Sequence, residues 1–534
     1  MEQRKWAKDT EKLGSFELAK LEKDGLDVLN DVERYAELGF AAIEPTDIDR
    51  MKWLGIYVSR PKTEGNLMLR VKIPGGILNS QQARMLSDLS REYGRNLMDV
   101  TTRQSIQFHW IRVEMLPDIF KRLENVGLTT IESAGDCPRN VIGSPIAGID
   151  SEEFFDTGST IRDLNGFFTN NREFSNLPRK FKISVCGNPY NSVNAEINDL
   201  SFVPAVKTID GVEIKGFNVF VGGGLSTAPQ LAQKVDVFVR PGEVVKVAAA
   251  TCAIFRDFGY REKRNHARLK FLISDWGIAK FTDELLKITG PLLDSGKDLT
   301  KGWNAGFYYG VNKQKQPGLN YVGLAVPAGR FSAEEMADLA RIADEYGDGN
   351  IRTAGSQNIV LANIPDNKID NLLQEKLLKR ITPFPKPFTG HTVTCTGKEF
   401  CPFAVAETKN SVSEIISYLD ENVKLDTPVH VHFSGCANSC GQPQIADIGF
   451  QGTLVLVDGQ PVEAFEMLVG GRLGTEPVFA RKLEGRIPVE KTAQAIEYVI
   501  EYYKKNKDAD ESFYTFVGRN SASLQDKLSE FLAR

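Results

Sequence analysis

Cys395 and Cys401, in the run CTGKEFC, and Cys436 and Cys440, in CANSC, form two close pairs of thiols. Four thiolates in two pairs are a donor set for a metal centre. Five residues lie between the first two cysteines and three between the second two, whereas structural zinc sites usually space a pair by about two to four residues and often add His. The spacing favours an iron–sulfur cluster over zinc, although soft thiolates suit both. The surrounding runs, VTCTGKEFCPF and FSGCANSCGQPQ, are rich in Gly, small and polar residues. That is loop chemistry around a ligand rather than the packing of buried core thiols. Such loops also offer backbone N–H groups to cluster sulfurs.

The other three of the seven cysteines, Cys137, Cys186 and Cys252, are scattered through 534 residues. That density excludes a disulfide-stapled secreted scaffold and points to a reducing cytoplasm. The N-terminal run MEQRKWAKDTEKLG is charged throughout, and no apolar stretch approaches the roughly 20 residues that cross a bilayer; a soluble protein without a membrane partner is expected. A net charge of -5 argues against nucleic-acid binding. The length exceeds what one core serves, so several domains are expected.

A second chemical concentration lies in the first half: Arg70, Arg103, Arg139, Arg179, Lys180 and Lys182. Taken singly, each reads as a solvated strand face. As a set they suit a polyanion or a small oxyanion. Alternation along Arg179-Lys180-Phe181-Lys182 places the two lysines on one face of a strand.

The elements that must position these groups occur twice. Leu67–Gln107 resembles Val322–Leu361, and a shift of 253 matches Pro74 with Pro327 and Gln104-Ser105-Ile106 with Gln357-Asn358-Ile359. Each copy reads as strand, helix, strand. A second repeat, shifted by 248, matches Gly187 with Gly435, Asp199 with Asp447, and FNVFVGGGLSTAP with FEMLVGGRLGTEP. The order is A-B-A′-B′, a duplicated unit that predicts a pseudo-twofold with a site between its halves. The expected class is α+β. Its segments are an N-terminal helical wrap over 1–62, an A copy over 63–128, a B copy over 129–295, A′ over 296–381 and B′ over 382–534, with a loosely held polar tail after Lys504. His109, His430 and His432 lie in strand patterns and read as packed or hydrogen-bonded. The glycine runs at 222–224 and 470–471 lack the order of a dinucleotide fingerprint.

NLMLRVKIPGG, DVTTRQSIQFHWI, GDCPRNVIGSPIAG, NLPRKFKISVCG, NAEINDLSFVPA, CTGKEFC and SGCANSCGQPQIADIGFQG together resemble the assimilatory sulfite and nitrite reductase family over about nine-tenths of the chain. The resemblance implies two ferredoxin-like half domains (A and A′), two α/β domains for sirohaem and cluster (B and B′), and a monomer. It implies a [4Fe–4S] cluster on Cys395, Cys401, Cys436 and Cys440, with Cys440 also the axial thiolate of sirohaem, a haem bearing eight carboxylates. Arg103, Gln107, Arg179 and Asn438 become sirohaem contacts. Arg70, Arg139, Lys180 and Lys182 line the distal pocket, and Arg268 or Lys270 reaches a carboxylate. No flavin or nicotinamide domain is visible in the sequence, so reduced ferredoxin is the implied donor. Lys504, Lys505 and Lys507 are either its contact or a solvated helix end.

Two oxyanions compete as substrate. Much of the running sequence is similar to ferredoxin-nitrite reductases, but nitrite-type relatives usually carry Asn where this chain has Lys182, and they differ at Gly135–Arg139. QFHWI also resembles the sulfite type. Sulfite brings more oxygens and more charge than nitrite, which gives a second lysine a purpose. The expected reaction is therefore six-electron reduction of sulfite to sulfide, with nitrite to ammonia as the alternative. An iron–sulfur carrier without catalysis is the rival from another class, and it has no use for the distal cations.

Overall fold

A computed structural model describes residues 10–533. The duplication appears as two pairs of sheets. The first A sheet runs in the order Ile56–Val58, Leu67–Val71, Ile106–Ile111, Met98–Val100, and ends on Arg330–Phe331 from the other copy. The A′ sheet runs Gly310–Lys313, Leu319–Leu324, Ile359–Pro365, Asn350–Thr353, and ends reciprocally on Ile77–Asn79. Arg330 lies opposite Asp99, and Asn350 opposite Asn79. Each copy thereby covers an edge of the other, where unpaired backbone groups would otherwise face solvent.

One helix in each copy follows the exchanged strand. Ser80–Tyr93 begins with a capping box between Asn79 and Gln82, and Ala333–Tyr346 with one between Ser332 and Glu335. The cap satisfies backbone N–H groups that the first turn leaves unpaired. Leu86 and Leu89 of the first helix and Met336 and Leu339 of the second enter a single core shared by both sheets. A and A′ are therefore one body.

The B sheet orders Gln233–Val239, Val212–Val221, Leu200–Ile209, Ile183–Val185 and Ile142–Gly143; B′ orders Thr392–Thr394, Val431–Ser434, Ile448–Val457, Gln460–Val469 and Arg481–Lys482. Each has its own helix-covered core. Between them lies a small cluster of matched residues, Ile197 with Ile445 and Leu225 with Leu473. Asn194 donates from Nδ2 to Gln442 Oε1 at 3.1 Å, and these two positions are also equivalent under the shift of 248.

Several element limits differ from the sequence reading. Ile56–Val58 pairs with Leu67–Val71, so the first sheet recruits residues assigned to the N-terminal wrap. Lys297–Asp298 pairs with the B strand Leu200–Ile209, and Gly302–Trp303 with Tyr190–Asn191, because both stretches complete B edges before A′ begins. The tail expected to be loose is the helix Phe513–Leu532, which buries Phe513, Phe516, Val517, Leu524 and Leu528 in the B′ core. Those apolar positions repeat at helical spacing between polar ones, which a composition-based reading averages away. The N-terminal helix Ser15–Glu22 does wrap onto B: Lys20 Nζ donates to Leu177 O at 2.9 Å and Glu17 pairs with Arg261 at 2.8 Å. Residues 1–9 lie outside the described part.

Gln104 and Gln357 tie the halves together across the pseudo-twofold. Gln104 Nε2 donates to Thr353 O at 2.9 Å and Gln357 Nε2 to Val100 O at 2.8 Å. Their side-chain oxygens accept from Gly143 N and Thr394 N respectively. Both residues adopt positive φ, 59° and 67°, a conformation uncommon for a residue with a side chain. Gln357→Ala leaves two buried backbone groups without partners and should destabilise the protein by about 1–3 kcal/mol. Urea unfolding measures this as a lowered midpoint, and an unchanged midpoint would contradict the bridging role.

Candidate metal and anion site

Thr392–Thr394 lies parallel to Val431–Ser434, and the cysteine loops leave these neighbouring strand ends. They meet closely. Gly435 N–H donates to Cys395 Sγ at 3.1 Å. A Cβ on Gly435 would stand 2.6 Å from Ala406 O, and one on Gly397, whose φ is +76°, would stand 2.3 Å from Thr408 Oγ1. Glycine is required at both places for the loops to approach. In the second pair Ser439 has φ of 59°, and its hydroxyl accepts from Gln444 Nε2 at 2.6 Å and Gln451 Nε2 at 3.0 Å. Those bonds hold the turn that presents Cys440 to the open side.

Burial pushes the thiols of Cys395, Cys401 and Cys436 up to about 11, and the charge of Cys440 adds to the rise in all three. Cys401 also feels Cys436, and Cys436 feels Cys395. The Gly435 N–H bond to Cys395 Sγ sets the loop of the second pair against that of the first. No group of three or more His, Cys, Asp or Glu among the described residues closes on a single ion. Cys137, Cys186 and Cys252 are buried elsewhere.

The cations converge on the same region. Arg70 Nε and Nη2 donate to Gln107 Oε1 at 3.1 and 2.9 Å, and Gln107 Nε2 donates to Thr396 Oγ1 at 3.2 Å, linking the first A sheet to the Cys395 loop. Arg70 and Arg139 both donate to Ser133 O at 3.3 Å. Arg103 donates to Asn198 Oδ1 at 2.8 Å and to Asn140 O at 2.6 Å, while its buried Nε has no partner. Thr102 Oγ1 donates to Cys440 O at 3.1 Å. Asn438 is exposed beside Cys440 on the same loop.

Lys180 and Lys182 flank the buried Phe181, which places both on the opposite face. The regular strand begins only at Ile183; Lys182 N is held by Asp199 Oδ2 at 2.9 Å. Burial, then Arg268, Arg179 and Arg139, lower Lys180 to about 7, while Cys440 works in the opposite direction. Burial and the charges of Arg103, Lys180 and Arg268 hold Lys182 well below its ordinary value. Burial lowers Arg103 to about 9 and Arg179 to about 10, and it also lowers Arg70, which Cys440 again opposes. The acidic partners are few. Asp199 is bound by Arg268 at 2.8 Å, and Asp136, 3.7 Å from Arg179, is shared with Lys20 and Arg264. Arg268 thus reaches a protein carboxylate, and Lys270 donates to Leu225 O at 2.9 Å.

Tyr57 is a member of this site that the sequence reading missed. Burial alone would raise its hydroxyl, but Arg139, Arg70 and Lys52 hold it below the usual value. It lies on the edge strand that the sequence reading assigned to the wrap, where a lone Tyr carries no motif. Asn140 and Thr102 were visible as residues inside motifs but not as ties between loops. The histidines are packed: His109 Nε2 lies 3.1 Å from Asp99, His430 Nδ1 3.3 Å from Asp447, and His432 Nδ1 3.1 Å from Gln442 O. At the C-terminal helix Lys504 pairs with Glu501 at 2.6 Å. No described helix is long and apolar enough to cross a membrane.

A cradle of mutually repelling cations with an unsatisfied guanidinium nitrogen fits a group that brings many carboxylates, and four grouped thiols fit a cluster. Comparison with known proteins agrees. Residues 134–290 and 387–519 match the nitrite and sulphite reductase 4Fe-4S domain, and residues 60–126 and 312–377 the nitrite/sulfite reductase ferredoxin-like half domain. A ferredoxin-nitrite reductase of Synechococcus elongatus is 43% identical over 89% of this chain and 93% of its own. A ferredoxin sulfite reductase of Mycobacterium tuberculosis is 37% identical over 95% of both. The solved structure of the Mycobacterium tuberculosis NirA protein superposes with a TM-score of 0.92 at 35% identity, covering 99% of this chain and all of that one. The chain therefore belongs to the nitrite and sulfite reductase family, whose members work with sirohaem and a [4Fe–4S] cluster.

Proposed function

We propose that this protein reduces sulfite to sulfide with six electrons from reduced ferredoxin, its cluster held by Cys395, Cys401, Cys436 and Cys440. Arg103, Gln107, Arg179 and Asn438 would hold the carboxylates of sirohaem, and Cys440 would be a thiolate donor. The observation that carries this reading is that Arg70 is tied through Gln107 to Thr396 of the Cys395 loop, and Thr102, beside Arg103, to Cys440 O, so thiols and cations border one space. Sirohaem, when bound there, would supply the redox chemistry that passes electrons to the anion. Arg70, Arg139, Lys180 and Lys182 hold the anion's oxygens and offset its charge. Lys180 and Lys182 are poised to lose protons. An arriving dianion favours their protonated form, so they take protons up with the substrate and deliver them as oxygens leave as water. A soluble, cytoplasmic monomer accords with this reading.

Nitrite is the second reading. It is supported by the higher identity to the Synechococcus elongatus enzyme. Sulfite is preferred because Lys182 adds a cation that the larger, more charged anion uses. Lys182→Asn should lower kcat/KM for sulfite roughly ten- to a hundredfold relative to nitrite, the equivalent of about 1.5–3 kcal/mol for one charge-assisted hydrogen bond. Steady-state kinetics of both anions with reduced ferredoxin measures the ratio, and an unaltered ratio makes nitrite at least as good a substrate.

The ligand assignment has its own test. Cys440→Ser should lose the cluster, because a hydroxyl is a poor substitute for a soft bridging thiolate, whereas Cys252→Ser should keep its iron and sulfide. Elemental analysis decides, and a full cluster in Cys440→Ser overturns the assignment.

The cation cradle also predicts how cofactor-free protein responds to pH. Lys180 titrates near 7 when folded and near the free-lysine value of about 10.4 when unfolded. Between pH 7 and 8.5 the unfolded chain binds more protons at this position, so stability rises with pH across that window. Lys180→Met should remove part of the rise. Urea midpoints at the two pH values compare parent and variant, and equal slopes would contradict the crowding of charge.

A further inference from the structure

Trp110 is out of keeping with its strand. Between the pairs Leu69 with Phe108 and Leu67 with Ile111, the strand Ile106–Ile111 carries one residue more than its partner. This bulge falls at His109 and Trp110, and Trp110 has φ of 59°, an outlier for a bulky side chain. Bulges re-aim side chains, and such strain persists where function retains it. Here two successive rings turn onto Phe400, which immediately precedes Cys401. His109 stacks on it at 3.8 Å and Trp110 meets it edge-on at 4.6 Å.

The other side of Trp110 lines an open surface groove of about 670 Å³ together with Arg91, Arg95, Arg112, Glu64 and Glu92. Of its acids, Glu92 pairs with Arg122 at 2.6 Å, and Glu64 Oε2 accepts from the neutral Asn66 amide at 3.0 Å and keeps its charge. Arg91 is bound by Asp88 at 3.1 Å. Arg95 lies over the Trp110 ring at 5.1 Å and forms no ion pair among the described residues, and Arg112 reaches Glu114 only at 3.9 Å. The lining thus sets three arginines against two glutamates around an aromatic ring that touches the thiol loop through a single buried residue.

We propose that an acidic iron–sulfur protein, the one-electron donor, seats on this groove, and that Trp110 and Phe400 form the path by which its electron reaches Cys401. The inference rests on the cofactor reading above. In each encounter the donor loses one electron and the thiol-bound centre gains one; no bond or proton changes hands, and six encounters complete the reaction. Packed rings offer an electron a continuous path where a water-filled gap would not.

The test uses holoenzyme, an acidic [2Fe–2S] ferredoxin and reduced methyl viologen, a small donor that needs no docking surface. Arg95→Glu should weaken ferredoxin binding in calorimetry and raise its KM roughly tenfold at low salt, with kcat retained. Trp110→Ala should lower ferredoxin-driven kcat at least severalfold, and Trp110→Phe should restore most of it. Viologen-driven rates should stay within about twofold for all three. Unchanged ferredoxin binding and kinetics, or a loss confined to Phe403→Ala on the exposed face beside Cys401, would move the entry point and overturn the proposal. An equal fall with both donors would make Trp110 a folding residue and overturn it as well. A parent holoenzyme inert with viologen would overturn the cofactor reading, and this inference with it.

Discussion

Repulsion among half-buried cations is the constraint on which the rest of the site depends. Burial lowers the proton affinity of Arg103, Lys180 and Lys182, the charges of Arg103, Lys180 and Arg268 lower their neighbours' further, and Asp199, which lies among them, is already held by Arg268. Such an arrangement costs stability in the bare protein and becomes favourable only when a polyanion arrives. The protein holds it through hydrogen bonds from the guanidinium groups to neutral acceptors: Arg103 to backbone carbonyls and Asn198, Arg70 to Gln107 and Ser133 O, Arg139 to Gly135 O. These bonds fix each guanidinium in place without neutralising its charge.

The duplication explains how one chain can present two unlike chemistries on one space. Lys182 and His430 are equivalent under the shift of 248; the backbone N–H of each donates to the matching carboxylate, Asp199 or Asp447, at 2.9 Å. The same frame therefore delivers a lysine from B and a packed histidine from B′. Cys395, Cys401, Cys436 and Cys440 have no counterpart cysteines at the equivalent places in B, where Gly187 matches Gly435 but Asn188 matches Cys436. One half specialised in thiols and the other in cations, and the exchanged strands Ile77–Asn79 and Arg330–Phe331 keep the halves in register.

Much of this was legible in the sequence because it is periodic or chemically distinctive. The two repeats announce the architecture, the thiol pairs announce a cluster, and alternation across Phe181 places Lys180 and Lys182 together. What escaped depends on contacts between distant segments. Ile56–Val58 is too short to register as a strand until Leu67–Val71 pairs with it, and Tyr57 travels with it into the site. The helix Phe513–Leu532 mixes apolar and polar residues so that neither dominates, and its apolar stripe has meaning only against the B′ core. Trp110 reads as one more alternating residue, because a bulge is a property of two strands and not of one.

The most direct test of the central claim is a titration of cofactor-free protein with sirohaem, followed by visible absorption at low and high salt, beside the same titration with protohaem. Eight carboxylates against two isolates the electrostatic contribution of the cradle from the apolar contact of a macrocycle. The account predicts much tighter binding of sirohaem, with an advantage that shrinks as salt screens the exposed parts of the cradle. Equal affinity for the two macrocycles at low salt would contradict it.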